Sequence, residues 1–254
     1  MSIDARSLHD RLDDDRVPPK HDAKWTLGFS REGAVDAPLD RAARHLEFDQ
    51  RATVIDEGDE ARFIYLILEG AVMMSKLLPD GRRQILAYLF PGDMGDPRQV
   101  FQSRTDYSMC VLWPAEITLL STASIQRLER LPNVANAMAR YALMQQAITR
   151  EWLVNVGHRT AFERLGHLLC EVYVRLEAVG LTREHAFELP LTQAELGDTL
   201  ALSAVHVNRT LMELRRLKLV TFQNRQVVIH DYPALQAAAG FDPAYLVGNE
   251  RLAS

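Results

Sequence analysis

Cysteine is nearly absent from this chain: Cys110 and Cys170 are the only two in 254 residues. Two thiols so far apart exclude a disulfide framework, and they offer neither zinc-knuckle spacing nor enough ligands for an iron–sulfur cluster. Long apolar runs are absent too, since no stretch approaches the roughly 18 residues that a membrane helix needs. The amino terminus, with its run Asp13-Asp14-Asp15, lacks the apolar core of a signal peptide. A soluble cytoplasmic protein with no membrane partner is expected. Histidine is missing from residues 46–130, which removes the clustered ligands that a cupin-type metal enzyme carries on its strands. No catalytic centre, metal site or cofactor is expected. Net positive charge is the last absence: 29 Lys and Arg against 34 Asp and Glu leave −5. That sum speaks against a nucleic-acid partner only where the charge is evenly spread.

The hydrophobic fraction of 47% supports one large domain or two ordinary ones. Residues 1–37 are polar and end their acid run at Val17-Pro18-Pro19, which predicts a solvated arm and linker. Residues 38–130 have another texture. Short apolar stretches at 61–68, 71–78, 84–90, 107–112 and 117–120 are punctuated by Glu57-Gly58-Asp59, Glu69-Gly70, Pro79-Asp80-Gly81 and Pro91-Gly92-Asp93. Closely spaced strands with Gly turns predict an antiparallel sandwich or barrel. Beyond Pro132, residues Val134, Met138, Tyr141, Gln145, Ile148, Trp152 and Asn155 recur at alternating spacings of four and three. That is a heptad seam, and a helix over 133–156, about 36 Å long, is expected within a dimerisation segment 131–157. Met138, Tyr141, Gln145, Ile148, Trp152 and Asn155 are the expected homodimer interface. Gly157 marks the hinge into a last domain, 158–254.

Residues 189–222 carry the most specific pattern. Thr192 and Glu195 form a capping box, with Leu196 and Leu200 on the inner face of a short helix. Ser203 is a second N-cap, and Val207, Leu211 and Leu214 give the inward stripe of a second helix over 203–217. Two capped helices joined by a tight connection are a helix-turn-helix. Val205, His206, Asn208, Arg209, Met212 and Arg216 occupy the outer face of the second helix. There Arg reads guanine and Asn reads adenine through paired hydrogen bonds in the major groove. Two further short strands, 219–222 and 226–229, meet at Asn224-Arg225 and predict a wing. Between Ser203 and His230 five basic residues face the single acid Glu213, a local excess sufficient to engage phosphates. The expected DNA-binding residues are Thr192, Gln193, Ser203, Val205, His206, Asn208, Arg209, Arg215 and Arg225.

In this order the glycine motifs, the long helix and Val205–Thr210 resemble the CRP/FNR superfamily of bacterial transcription regulators, over about residues 45–247. The resemblance implies an α+β chain: an antiparallel β-roll of the cyclic-nucleotide-binding, jelly-roll type, a dimerisation helix, and a carboxy-terminal winged helix-turn-helix. It also implies a homodimer on a pseudo-palindromic operator, with RNA polymerase as partner where the outcome is activation. Cyclic-AMP-binding members hold the cyclic phosphate with an Arg-Ser pair, and an ungapped alignment puts Thr105 and Asp106 there. An aspartate facing a phosphate is repulsive, so cyclic-AMP sensing is not expected. Gly95, Asp96, Arg104 and Thr105 remain the candidate effector pocket, and a regulator switched by another small molecule is the alternative. Branches that hold iron–sulfur clusters need more cysteine than this chain has. Those that hold haem need an axial histidine, for which His45 and His158 are poorly placed. Tyr107-Ser108-Met109-Cys110 resembles the FixK-like branch, some of whose members need no ligand. Many relatives have Glu where Val205 stands; Val replaces hydrogen-bond readout with contact to a thymine methyl.

Overall fold

The structure is a computed structural model that describes residues 24–25, 37–38 and 43–246. Most of the acidic arm expected at 1–37 lies outside the described residues. The chain divides into two compact units, one holding 35–77 and 86–137, the other 78–85 and 138–254.

The first unit is built on a sheet. Strands β1 (Lys24–Trp25) and β2 (Ala37–Pro38) pair with each other. The main sheet has β3 (Arg44–Phe48), β4 (Thr53–Ile55), β5 (Phe63–Leu77), β6 (Arg83–Leu89) and β7 (Ser108–Ser121). Its order is β3-β7-β5-β6, with β4 also on β7, and the partners of β7 run antiparallel to it. The β5–β7 register shifts between Ile67 and Val72. Gly70 sits in that irregularity at φ 82°, where a Cβ would stand 2.2 Å from the Pro114 carbonyl oxygen. Only glycine allows the two backbones to approach so closely. Phe48, Val54, Tyr65, Ile67, Met109 and Ile117 fill the interior. His45 is buried there too, its Nδ1 2.9 Å from the Thr118 hydroxyl. A 3₁₀ turn at Pro97–Phe101 and helix α1 (Thr122–Leu128) complete this unit.

Helix α2 (Pro132–His158) leads into the second unit. After an elbow come α3 (Ala161–Ala178), β8 (Ala186–Glu188), α4 (Gln193–Leu200), α5 (Ala204–Arg216), β9 (Val220–Gln223), β10 (Gln226–Ile229) and α6 (Tyr232–Ala239). The three strands form the sheet β8-β10-β9. Thr160 and Glu163 cap α3 reciprocally. Gly166 lets α3 meet α6, since a Cβ there would come within 2.9 Å of the Ala239 methyl. The hairpin tip 78–85 belongs to this unit, where Arg83 Nε donates to Asp198 Oδ2 at 2.9 Å.

The interior of the second unit holds a polar cluster. Glu171 and Arg175 are 0% and 1% exposed. The Glu171 carboxylate accepts from Trp152 Nε1 at 3.0 Å, Tyr245 OH at 2.7 Å and Arg175 NH1 at 3.4 Å. Burial raises the Glu171 carboxyl above its ordinary range, against the pull of Arg175 and the two neutral donors. Cys170, beside it in sequence, is buried and its thiol is pushed up to about 12, which disfavours the reactive thiolate.

Within one chain, part of the expected seam is already in use. Met138, Tyr141, Ile148 and Asn155 are buried within a single chain. Gln145 donates to the Tyr141 hydroxyl at 2.9 Å, and Trp152 is committed to Glu171. A heptad pattern reports an apolar face and not what covers it. The face left open carries Ala139, Leu143, Gln146, Arg150 and Leu153, again at alternating spacings of four and three. Leu143 and Leu153 on it are 65% and 69% exposed.

Candidate nucleic-acid interface

Helices α4 and α5 are set by their caps. The Thr192 hydroxyl accepts from Glu195 N at 3.1 Å, and Thr192 N donates to the Glu195 carboxylate at 2.8 Å. The Ser203 hydroxyl accepts from His206 N at 3.3 Å and lies 3.1 Å from His206 Nδ1. Between the two helices Ala201 adopts the left-handed conformation, φ 53° and ψ 44°. The turn closes tightly: a Cβ on Gly197 would stand 2.5 Å from the Leu202 carbonyl oxygen. Inward, α5 buries Val207, Thr210 and Leu214. Leu211, expected on that stripe, is only half-buried. Thr210 takes its place by donating its hydroxyl to the His206 carbonyl at 2.9 Å.

All nine side chains expected to bind DNA are exposed. Ser203, Val205, His206, Asn208, Arg209 and Arg215 lie on one helix or its cap, and Thr192 and Gln193 open the preceding one. Val205 is 78% exposed and Met212 66%, so both apolar side chains stand on the outer face of the helix. Arg225 stands apart at the wing tip, where Asn224 and Arg225 both have positive φ, 51° and 65°. That is the backbone of a tight hairpin turn, in which glycine is the usual second residue. An arginine held there at a conformational cost is the kind of strain found at functional positions. The basic residues of α5 that the sequence pattern placed on its outer face include Arg216, and it too is exposed.

The expected effector-pocket residues are occupied by their own chain. Asp96 caps the 3₁₀ turn and forms an ion pair with Arg98. The Arg104 guanidinium donates to the Gly58 carbonyl at 2.6 Å. Thr105 is buried and donates its hydroxyl to the Asp56 carbonyl at 2.9 Å. Gly95 N donates to the Tyr65 carbonyl at 2.7 Å, and Asp96 N donates to the Tyr107 hydroxyl at 3.3 Å. Two buried tyrosines therefore border the site. Among the described residues no group of His, Cys, Asp and Glu could hold a metal ion, and no helix is long and apolar enough to cross a membrane.

Comparison with known proteins fits both units. Residues 45–130 match the cyclic nucleotide-binding domain family, and residues 163–238 match the Crp-like helix-turn-helix domain family. A sheet domain of the first kind followed by a winged helix-turn-helix defines a DNA-binding transcription regulator. The FixK2 structure from Bradyrhizobium japonicum shares the fold, with a TM-score of 0.68 at 24% identity over 78% of this chain and 97% of that one. A probable transcriptional activator of Rhizobium leguminosarum is 28% identical, covering 78% of this chain and 82% of that protein. The transcriptional activator protein FnrL of Cereibacter sphaeroides is also 28% identical, over 81% and 84% respectively. The nitrogen fixation regulation protein FixK of Bradyrhizobium diazoefficiens is 27% identical over 82% and 91%. The chain belongs to the CRP/FNR superfamily of transcription regulators and is FixK-like.

Proposed function

We propose that the protein is a cytoplasmic homodimer that reads a pseudo-palindromic operator by seating the amino-terminal half of α5 in the major groove. Its domains in this reading are a β-roll at 38–130, a dimerisation helix at 131–157 and a winged helix-turn-helix at 158–254. The observation that carries it is the outer face of α5, where Val205, His206, Asn208 and Arg209 are all exposed behind a Ser203 cap. The relatives named as activators favour activation, with RNA polymerase as the further partner. Selection of bound duplexes from random DNA tests this reading, with a two-fold symmetric consensus as the expected result. Recovery of no preferred sequence would refute it.

Arg209→Ala is expected to cost about 1–3 kcal/mol on the selected duplex and to relax preference at one base pair. Quantitative binding to single-base variants of that duplex checks this; equal loss on every variant would remove direct readout by Arg209. Dimerisation is assigned to the open face of α2. Leu143→Glu combined with Leu153→Glu is expected to shift the mass measured by light scattering toward the monomer, because paired carboxylates oppose an apolar seam. An unchanged dimer mass would place the interface elsewhere.

A ligand-gated form of the same regulator is favoured by one observation. Gln99 is 1% exposed, yet neither polar atom of its amide has a hydrogen-bond partner among the described residues. Repeating the selection with and without small molecules from cell extract separates the two readings.

A further inference from the structure

From the geometry around Arg164 we infer that this residue is a positioning residue for DNA recognition. It ties the end of α2 to the turn between α4 and α5, so that the spacing of the two recognition helices is fixed before DNA arrives. The inference rests on the dimeric DNA-binding reading and deepens it.

Three bonds meet at Arg164. Its Nε donates to the Arg159 carbonyl in the elbow at 2.8 Å, and its NH1 donates to the Leu200 carbonyl at 2.9 Å. Its own carbonyl accepts from Asn155 Nδ2, on the last turns of α2, at 3.2 Å. The elbow is anchored in turn, because the Arg159 guanidinium pairs with the Glu151 carboxylate at 2.9 Å. Polar contacts therefore run without a gap from Glu151 on α2, through Arg159 and Arg164, to the final carbonyl of α4.

That final carbonyl is the key point of attachment. The last carbonyls of a helix lack intrahelical partners and carry the negative end of its dipole. A guanidinium donating to Leu200 satisfies one of them where the chain turns, through left-handed Ala201, into Leu202 and the Ser203 cap of α5. With Arg164 holding the Leu200 carbonyl, the turn has little room to absorb movement, since Gly197 lies against the Leu202 carbonyl and Leu202 N donates to the Gly197 carbonyl at 3.0 Å. A shift at the carboxy-terminal end of α2 is thus passed to α5 as a rigid displacement. In a dimer joined along α2, this sets the distance between the two reading heads.

The test uses the full-length chain and three duplexes: the selected palindrome, the same palindrome with one base pair inserted at its centre, and a single half-site. Arg164→Met keeps the length of the side chain and removes its donors. It is expected to leave half-site affinity within about twofold and to shrink the penalty of the inserted base pair by about 3- to 30-fold, the range seen for residues along coupling networks. Hydrogen exchange of the Leu202 amide should rise about tenfold as the turn loosens. Arg164→Lys should retain part of the spacing penalty. A folded Arg164→Met with the wild-type penalty and wild-type Leu202 exchange overturns the inference. If that variant does not fold, Arg159→Met removes the donors at the other end of the chain of contacts, and an unchanged spacing penalty there overturns it equally. If the wild type selects no sequence, the functional reading fails, and Leu202 exchange alone decides whether Arg164 holds the turn.

Discussion

Acid is expected to unfold the second unit early, and His167→Phe to protect it. His167 is 1% exposed, with its ring edge-on to Phe241 at 5.0 Å and stacked on Tyr245 at 6.1 Å between centroids. Burial lowers its pKa to about 4; nearby Arg159 adds to the shift, and Glu151, 3.5 Å away, opposes it. In the unfolded chain the ring takes its proton near the ordinary value of 6.5. Between these values the unfolded chain binds the extra proton. The contribution is therefore intact above pH 6.5 and declines as the pH falls, by about 3 kcal/mol in full. Glu171 works in the opposite direction, because its raised pKa lets the folded state take up a proton first. Comparing the wild type with His167→Phe isolates the histidine. Urea melts at neutral and acidic pH, followed through Trp152 in a Trp25→Phe, Trp113→Phe background, should show the smaller acid loss in the variant. Equal losses would mean that the ring titrates normally in the folded protein.

Glu171→Leu is expected to cost about 3–5 kcal/mol, the usual penalty for breaking a buried pair from one side. Leucine fills the volume but takes the shared acceptor from Trp152, Tyr245 and Arg175 at once. Desolvation of Arg175 is no longer offset by an opposing carboxylate 3.4 Å away. The damage should spread along three elements, since the donors come from α2, from α3 and from the segment after α6. Urea melts of full-length protein measure the loss. A change under about 1 kcal/mol would mean that the pair is offset by its own desolvation, as buried ion pairs often are. Restoring stability with Glu171→Leu plus Arg175→Met would locate the cost in the Arg175 guanidinium, which loses the Glu171 carboxylate.

Local chemistry explains which parts of this protein are legible in the sequence. The helix-turn-helix is legible because each helix announces its own start: Thr192 with Glu195, and Ser203 ahead of an apolar stripe. The strands are legible because glycine and proline punctuate them. Less legible are features decided by what lies across a face. The seven-residue repeat on α2 marks an apolar face correctly, but Trp152 and Asn155 on it serve the chain's own α3. The second repeat through Leu143 and Leu153 is weaker in hydrophobicity and gives little signal beside it. Glu171 and Arg175, one helical turn apart, look like an ordinary surface pair, and only burial reveals their role. Arg164 likewise reads as a solvated side chain, because its partners are backbone carbonyls that no sequence pattern displays.

The exposed valine at the start of α5 has a consequence of its own for this regulator. With α5 seated as proposed, Val205 recognises its base by shape and methyl contact, whereas Arg209 adds a charge to its base readout and the wing Arg225 acts through charge. Ionic strength weakens the charged contacts and leaves the apolar one nearly untouched. As salt rises, total occupancy should fall while the preference at the Val205 base pair persists. At high ionic strength the thymine-bearing sites would then be the last to be vacated.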